Sequence, residues 1–88
     1  MAHILAKLKG VDVLDIKKML MADAPKHAKD GLYLKHLSQD ADDLKEVCFL
    51  FRTDDLRRAR SLIGRVHTQA REKNPLVNLP HMAFLEEK

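Results

Sequence analysis

YLKHLSQDADDLKEVCFLFR (residues 33–52) is the stretch whose reading decides the fold. Two apolar runs, LYLKHLSQ and EVCFLFR, flank the acidic segment DADDLK. Aspartates bond their own backbone and resist regular structure, so DADDLK reads as a turn and the two runs as a hairpin. EVCFLFR is the most apolar of the strand-like runs. Strands covered on both faces lose their polar alternation, so it reads as a central strand. A tight turn makes Tyr33 and Arg52 cross-strand neighbours and sets Cys48 near Leu37. Which side chains share a face stays open, because a one-residue slip turns every side chain to the other side of the sheet.

Before the hairpin, AHILAKLKG alternates: Ile4, Ala6 and Leu8 fall on one side, Leu5 and the lysines on the other. It reads as a strand ending at Gly10. DVLDIKKMLMADAPKHAKDG changes period, with Val13, Ile16, Met19 and Leu20 at helical spacing and Asp12 placed to cap the start. Pro25 deletes a hydrogen bond and crowds the preceding turn. A kink or a restart near Ala22 and Asp23 is therefore expected, with Gly31 ending the element. After the hairpin, Thr53 and Asp54 are placed to cap a second helix. Its buried stripe is Leu56, Ala59, Leu62, Ile63, Val66 and Ala70, and KNP stops it. Beyond LVNLP, HMAFLEE reads as a fourth strand.

The order is β-α-β-β-α-β, an α+β fold of the ferredoxin-like kind: a four-stranded antiparallel sheet with two helices on one face. All 88 residues form one domain, residues 1–88. A chain this short buries only about 60–65% of its unfolded surface, so the core is thin. The other face of the sheet is bare, and Leu5, Leu37, Phe49, Leu50, Ala83 and Leu85 compete for it. An uncovered apolar face implies a partner, and a homodimer joined sheet to sheet is expected.

Cys48 is the only cysteine, which excludes an internal disulfide and suits a reducing compartment. MAHILAKLKG lacks the apolar core of a signal peptide, and no run nears the roughly 18 apolar residues of a membrane span. A cytoplasmic setting without membrane attachment is expected. The net charge is +3, with seven Arg/Lys against three acids between residues 52 and 73. Nucleic-acid binders pair such a stripe with exposed aromatics. Only four aromatics exist here, three of them in the hairpin, so the basic stretch reads as a solvated helix face and no nucleic acid is expected.

With strand, Asp-rich turn, apolar strand and acid-started helix in succession, HLSQDADDLKEVCFLFRTDDL resembles the dimeric α/β-barrel superfamily. Small antibiotic-biosynthesis-type monooxygenases and stress-responsive barrel proteins carry a similar pattern. The resemblance covers the whole chain through its element order. It implies a dimeric α/β barrel, in a superfamily whose members include cofactor-free monooxygenases, haem-degrading enzymes, isomerases, decarboxylases and cyclases. A shared fold names no reaction, and no catalytic residue is carried over. Two other families with this element order are unlike the chain. The loop KGVDVLD has neither the phosphate-cradling arginine of acylphosphatase-like proteins nor the Cys-x-x-Cys of heavy-metal domains.

The functional reading is binding, with conversion left open, of a small organic molecule in an apolar pocket between sheet and helices. No cofactor is called for. His36 is the catalytic candidate, as base or carbonyl polariser, provided its side chain faces the pocket. Arg52 would orient an anionic substrate, with Tyr33 beside it. Cys48 reads as packed unless a cation lies next to it. His27 follows the proline, where helix irregularity often borders a cavity, and His67 borders the buried stripe of the second helix. Met19, Met21 and Met82 read as core or cavity lining. None of the five histidines pairs at His-x-x-x-His spacing, so no metal ligand is assigned. Two alternatives are a non-catalytic interaction or ligand-sensing module and a metal or haem binder using His27, His36 or His67.

Overall fold

A computed structural model of the protein describes residues 2–86. Its elements run β1 (Ala2–Lys9), α1 (Val13–Lys29), β2 (Leu32–Gln39), β3 (Glu46–Thr53), α2 (Leu56–Lys73) and β4 (His81–Glu86). The strands form one antiparallel sheet in the order β2-β3-β1-β4, the ferredoxin-like arrangement. β3 is interior, as its apolar composition requires. Glu87, the last residue of the expected fourth strand, lies outside the described residues.

Strand alternation divides the sheet. Val47, Phe49, Phe51 and Thr53 of β3 pair with Leu8, Ala6, Ile4 and Ala2 of β1. Ala2 apart, the apolar members of this set make the core with Ile16 and Leu20 of α1, Leu32 of β2 and Ala59 of α2. Phe49 and Leu37 therefore belong to the helix side. Leu5, Leu50, Ala83 and Leu85 take the open face.

The turn between β2 and β3 is pinned by its aspartates. Asp40 Oδ2 accepts from the backbone N–H of Asp42 (3.0 Å) and of Asp43 (2.9 Å), and Asp43 Oδ1 accepts from the N–H of Lys45 (2.9 Å). Asp12 caps α1 by accepting from the Leu14 N–H at 2.8 Å. Gly31 follows the C-cap at φ +74°, a conformation that costs a side-chain-bearing residue about 1–2 kcal/mol.

Three sequence expectations change. α1 runs through Pro25 as one 17-residue helix, with no restart at Asp23. Pro25 lies on the exposed side near the C-terminal end, so the turns that bury Ile16 and Leu20 precede it. α2 is capped by Asp55, which accepts from the Arg58 N–H at 3.1 Å, while Thr53 Oγ bonds the Asp55 backbone. Thr53 and Asp54 thus precede the cap. Met19 and Met21 are exposed, as is Val66, because only the Ile16 and Leu20 side of α1 and the Ala59 side of α2 reach the sheet.

Ile4 is fully buried at the centre of the sheet. Ile4→Ala should lower the unfolding free energy by about 2–5 kcal/mol in urea titrations. Leu76→Ala, at a side chain that is 92% exposed, should change it by no more than about 0.5 kcal/mol.

Candidate functional site

The β2–β3 register decides where the hairpin residues point. Leu32, Tyr33 and Leu34 pair with Thr53, Arg52 and Phe51 in step. Lys35 then drops out of the ladder, and His36 pairs with Leu50. Unbroken alternation from Leu34 would have turned His36 toward the helices. The extra residue moves it to the open face and turns Leu37 inward.

The open face is thereby ordered in rows across the four strands. Tyr33, Arg52, His3 and Leu85 form one row. His36, Leu50, Leu5 and Ala83 form the next, and Ser38, Cys48, Lys7 and His81 the third. Tyr33 and Arg52 are direct neighbours, the guanidinium carbon lying 4.7 Å from the ring centroid. The same guanidinium meets Asp54 at 3.4 Å, and its Nε is buried without a partner among the described residues. Cys48 is four residues along β3 from Arg52, a separation of about 13 Å in a strand. Arg52 is therefore not the cation beside the thiol; the cross-strand neighbour is Lys7.

His27 and His67 lie elsewhere. The His27 ring packs edge-on against Phe51, with centroids 5.3 Å apart and planes at 81°. That is a packing role on the helix side. His36, on the opposite face, cannot join it around one ion. Among the described residues no three His, Cys, Asp or Glu side chains group as a metal site, so the proposed set of His27, His36 and His67 does not converge.

His67 instead enters a cleft between α2 and β4. From α2 come Arg60, Ile63, Gly64, His67, Thr68 and Arg71, one stripe at steps of three and four residues. Across from it stand Pro80, His81, Met82 and Phe84. The open volume is about 380 Å³, within the range of small-ligand sites at about 300–1,000 Å³. Gly64 leaves the helix wall bare: a Cβ placed there would meet nothing within 4 Å. The far wall is held by Asn78, whose Nδ2 donates to the Lys9 carbonyl at 2.7 Å, and by the Asn74 side chain, which accepts from the Leu76 N–H at 3.1 Å. Arg60 lies over the Phe84 ring at 4.7 Å, so its charge is carried at the cleft by an aromatic platform.

A cleft is thus open between α2 and β4, and its lining is not mostly apolar. Ile63, Met82, Phe84 and Pro80 share it with two arginines and His67, while His81 borders it from the start of β4 with its side chain on the open face. Burial lowers the pKa of His67 below the usual 6.5, and the Arg71 charge pushes the same way. His67 is accordingly a neutral imidazole at neutral pH, able to accept a proton. Of the residues singled out from sequence, His67 and Met82 line this cleft. Tyr33, His36, Cys48 and Arg52 share the open face, and His27 joins neither group.

Arg60, Arg71 and Phe84 were not singled out. A signal for the arginines existed: they stand at −7 and +4 from His67, on one face of α2.

Among solved structures, the fold is similar to that of a protein from Deinococcus radiodurans whose name assigns it provisionally to the antibiotic biosynthesis monooxygenases. The TM-score is 0.63 at 15% identity, over 100% of this chain and 93% of that one. At this identity the likeness is one of fold. No family model and no curated protein matches the chain.

The pKa of His67 has a consequence for stability. The unfolded chain takes up this proton first, at about pH 6.5, and the folded chain only lower. Stability contributed here is complete above pH 6.5 and is lost as pH falls through that value toward the folded pKa. In Arg71→Gln, the midpoint followed by ring-proton NMR should rise toward 6.5 without reaching it, since burial is the larger cause.

Proposed function

We propose that the protein acts as a homodimer through its open sheet face and binds a small organic molecule in the cleft between α2 and β4. The observation that carries this reading is the cleft itself. It has an apolar floor, a wall lowered at Gly64 and several polar groups converging on one space, the usual constitution of a small-ligand site. The dimer is supported by the middle row of the open face, where Leu50, Leu5 and Ala83 are only half-buried by the single chain. The Deinococcus protein's name connects this fold with monooxygenase chemistry. For the present chain the proposal is limited to binding, with proton abstraction the one step its cleft residues suit. His67 is the group for that step, being neutral and bordering the apolar floor. His36 and Arg52 then belong to the dimer face and not to the ligand. No helix among the described residues is long and apolar enough to cross a membrane, and a cytoplasmic site of action is part of the reading.

Two substitutions separate the parts of this proposal. Gly64→Leu should fill the cleft while replacing a helix-weakening glycine. Stability should rise by up to about 1 kcal/mol, and naphthylacetamide, followed through amide NMR shifts of α2 and β4, should cease to bind. Continued binding at those residues would rule out the cleft as the site. Leu50→Glu should convert the dimer to a monomer in sedimentation velocity while leaving the far-ultraviolet circular dichroism unchanged. A wild-type chain that sediments as a monomer at tens of micromolar would remove the dimer from the reading.

A further inference from the structure

The cleft contains a pattern of charge that neither its apolar floor nor the fold requires. Its lining includes Arg60, His67 and Arg71 of α2, and no carboxylate among the described residues. Elsewhere in the described chain, side-chain ion pairs join Arg52 to Asp54 and Arg58 to Asp30, so two of the arginines outside the cleft have acids within reach. Arg60, His67 and Arg71 rise from a single helix at positions separated by seven and four residues. Two turns and one turn stack such side chains above one another on one face. His67 is neutral, so the fixed charge of the cleft is that of Arg60 and Arg71, and no acid lining the cleft offsets it. An anion bound in the cleft would offset that charge.

We infer that the cleft selects an organic oxyanion: an apolar, ring-sized body resting on Ile63, Met82 and Phe84, with a carboxylate or phosphate head held by Arg60 and faced by His67. The inference rests on the reading of the cleft as the ligand site and adds the class of ligand. A guanidinium offers a planar fork of donors matched to two oxygens of such a head. Arg60 is already oriented by its stacking on Phe84, so less freedom is lost when it engages. His67 stands between the two arginines in sequence and on the same stripe. It is placed to donate a hydrogen bond to the head or to take a proton from the body next to it.

Three probes with one aromatic body test this on the intact chain: naphthylacetate, naphthyl phosphate and the uncharged naphthylacetamide. Dissociation constants come from amide NMR shifts at neutral pH and low salt. At least one anion should bind about tenfold or more tightly than the amide, the scale of a charge-assisted hydrogen bond. Whichever of the two binds better identifies the head group. Arg60→Gln should weaken the anion about tenfold, Arg71→Gln, about 16 Å further along α2, should weaken it less, and both should leave the amide unchanged. A bound anion should also raise the titration midpoint of His67, which a ligand resting only on the apolar floor would not do. Equal affinity for anion and amide, both abolished by Gly64→Leu, would overturn the inference and leave the cleft as the ligand site. Anion binding that survives Gly64→Leu, or no binding of any probe, would overturn both.

Discussion

The pairing of β3 with a neighbour on each side is the constraint on which the rest of this molecule depends. A strand turns successive side chains to opposite faces, and β3 is fixed in register against β1 along its whole length. Val47, Phe49, Phe51 and Thr53 are buried in turn, and the residues between them are half-buried. This alternation assigns the residues of the sheet to the helix side or to the open side. It separates the chemistry as well. His27 and Phe51 are on one side, with Cys48, Arg52 and Tyr33 on the other, and no side chain can serve both.

Much of this was legible in the residues. The alternation in AHILAKLKG, the change of period after Gly10, the aspartates of the turn and the apolar run after it yield the element order and the central place of β3. The helix through Pro25 was not legible, because a proline on an exposed side near a helix end removes one hydrogen bond without disturbing a packed turn. The position of His36 was not legible either. It depends on one residue, Lys35, leaving the ladder, and nothing in LYLKHLSQ marks that place: there is no glycine or proline to signal a bulge. A single unpaired residue thus decides whether the hairpin histidine sees the helices or the open face.

The cleft shows a different limit. In α2 the apolar stripe was correctly seen to include Leu56, Ala59, Leu62 and Ile63, and the basic residues were read as a solvated face. Both descriptions are partly right. The helix packs on its Ala59 side, while the adjacent stripe through Arg60, Gly64, His67 and Arg71 faces β4 across open space. Periodicity identifies which residues of a helix lie together. It does not say whether the next element stands in contact with them, at a distance or nowhere. That distance is set by Asn78 and the connection of residues 74–80, whose hydrogen bonds to Lys9 and within the turn place β4.

β4 joins the cleft to the open face. It is a six-residue edge strand, and its alternation sends Met82 and Phe84 toward α2 while Ala83 and Leu85 face the open side. The floor of the cleft and one margin of the open face are therefore successive residues of one short strand. Its hydrogen bonds run to β1 alone, and its outer edge has no partner among the described residues. An element held on one side yields more readily than one held on both. Arg60 rests on Phe84, so any load placed on that guanidinium by an anion bears directly on this strand and, one residue along, on Ala83 and Leu85. In the proposed dimer, ligand and partner would thus act on β4 from opposite faces. The route between them is one backbone, with no chain of intervening side chains.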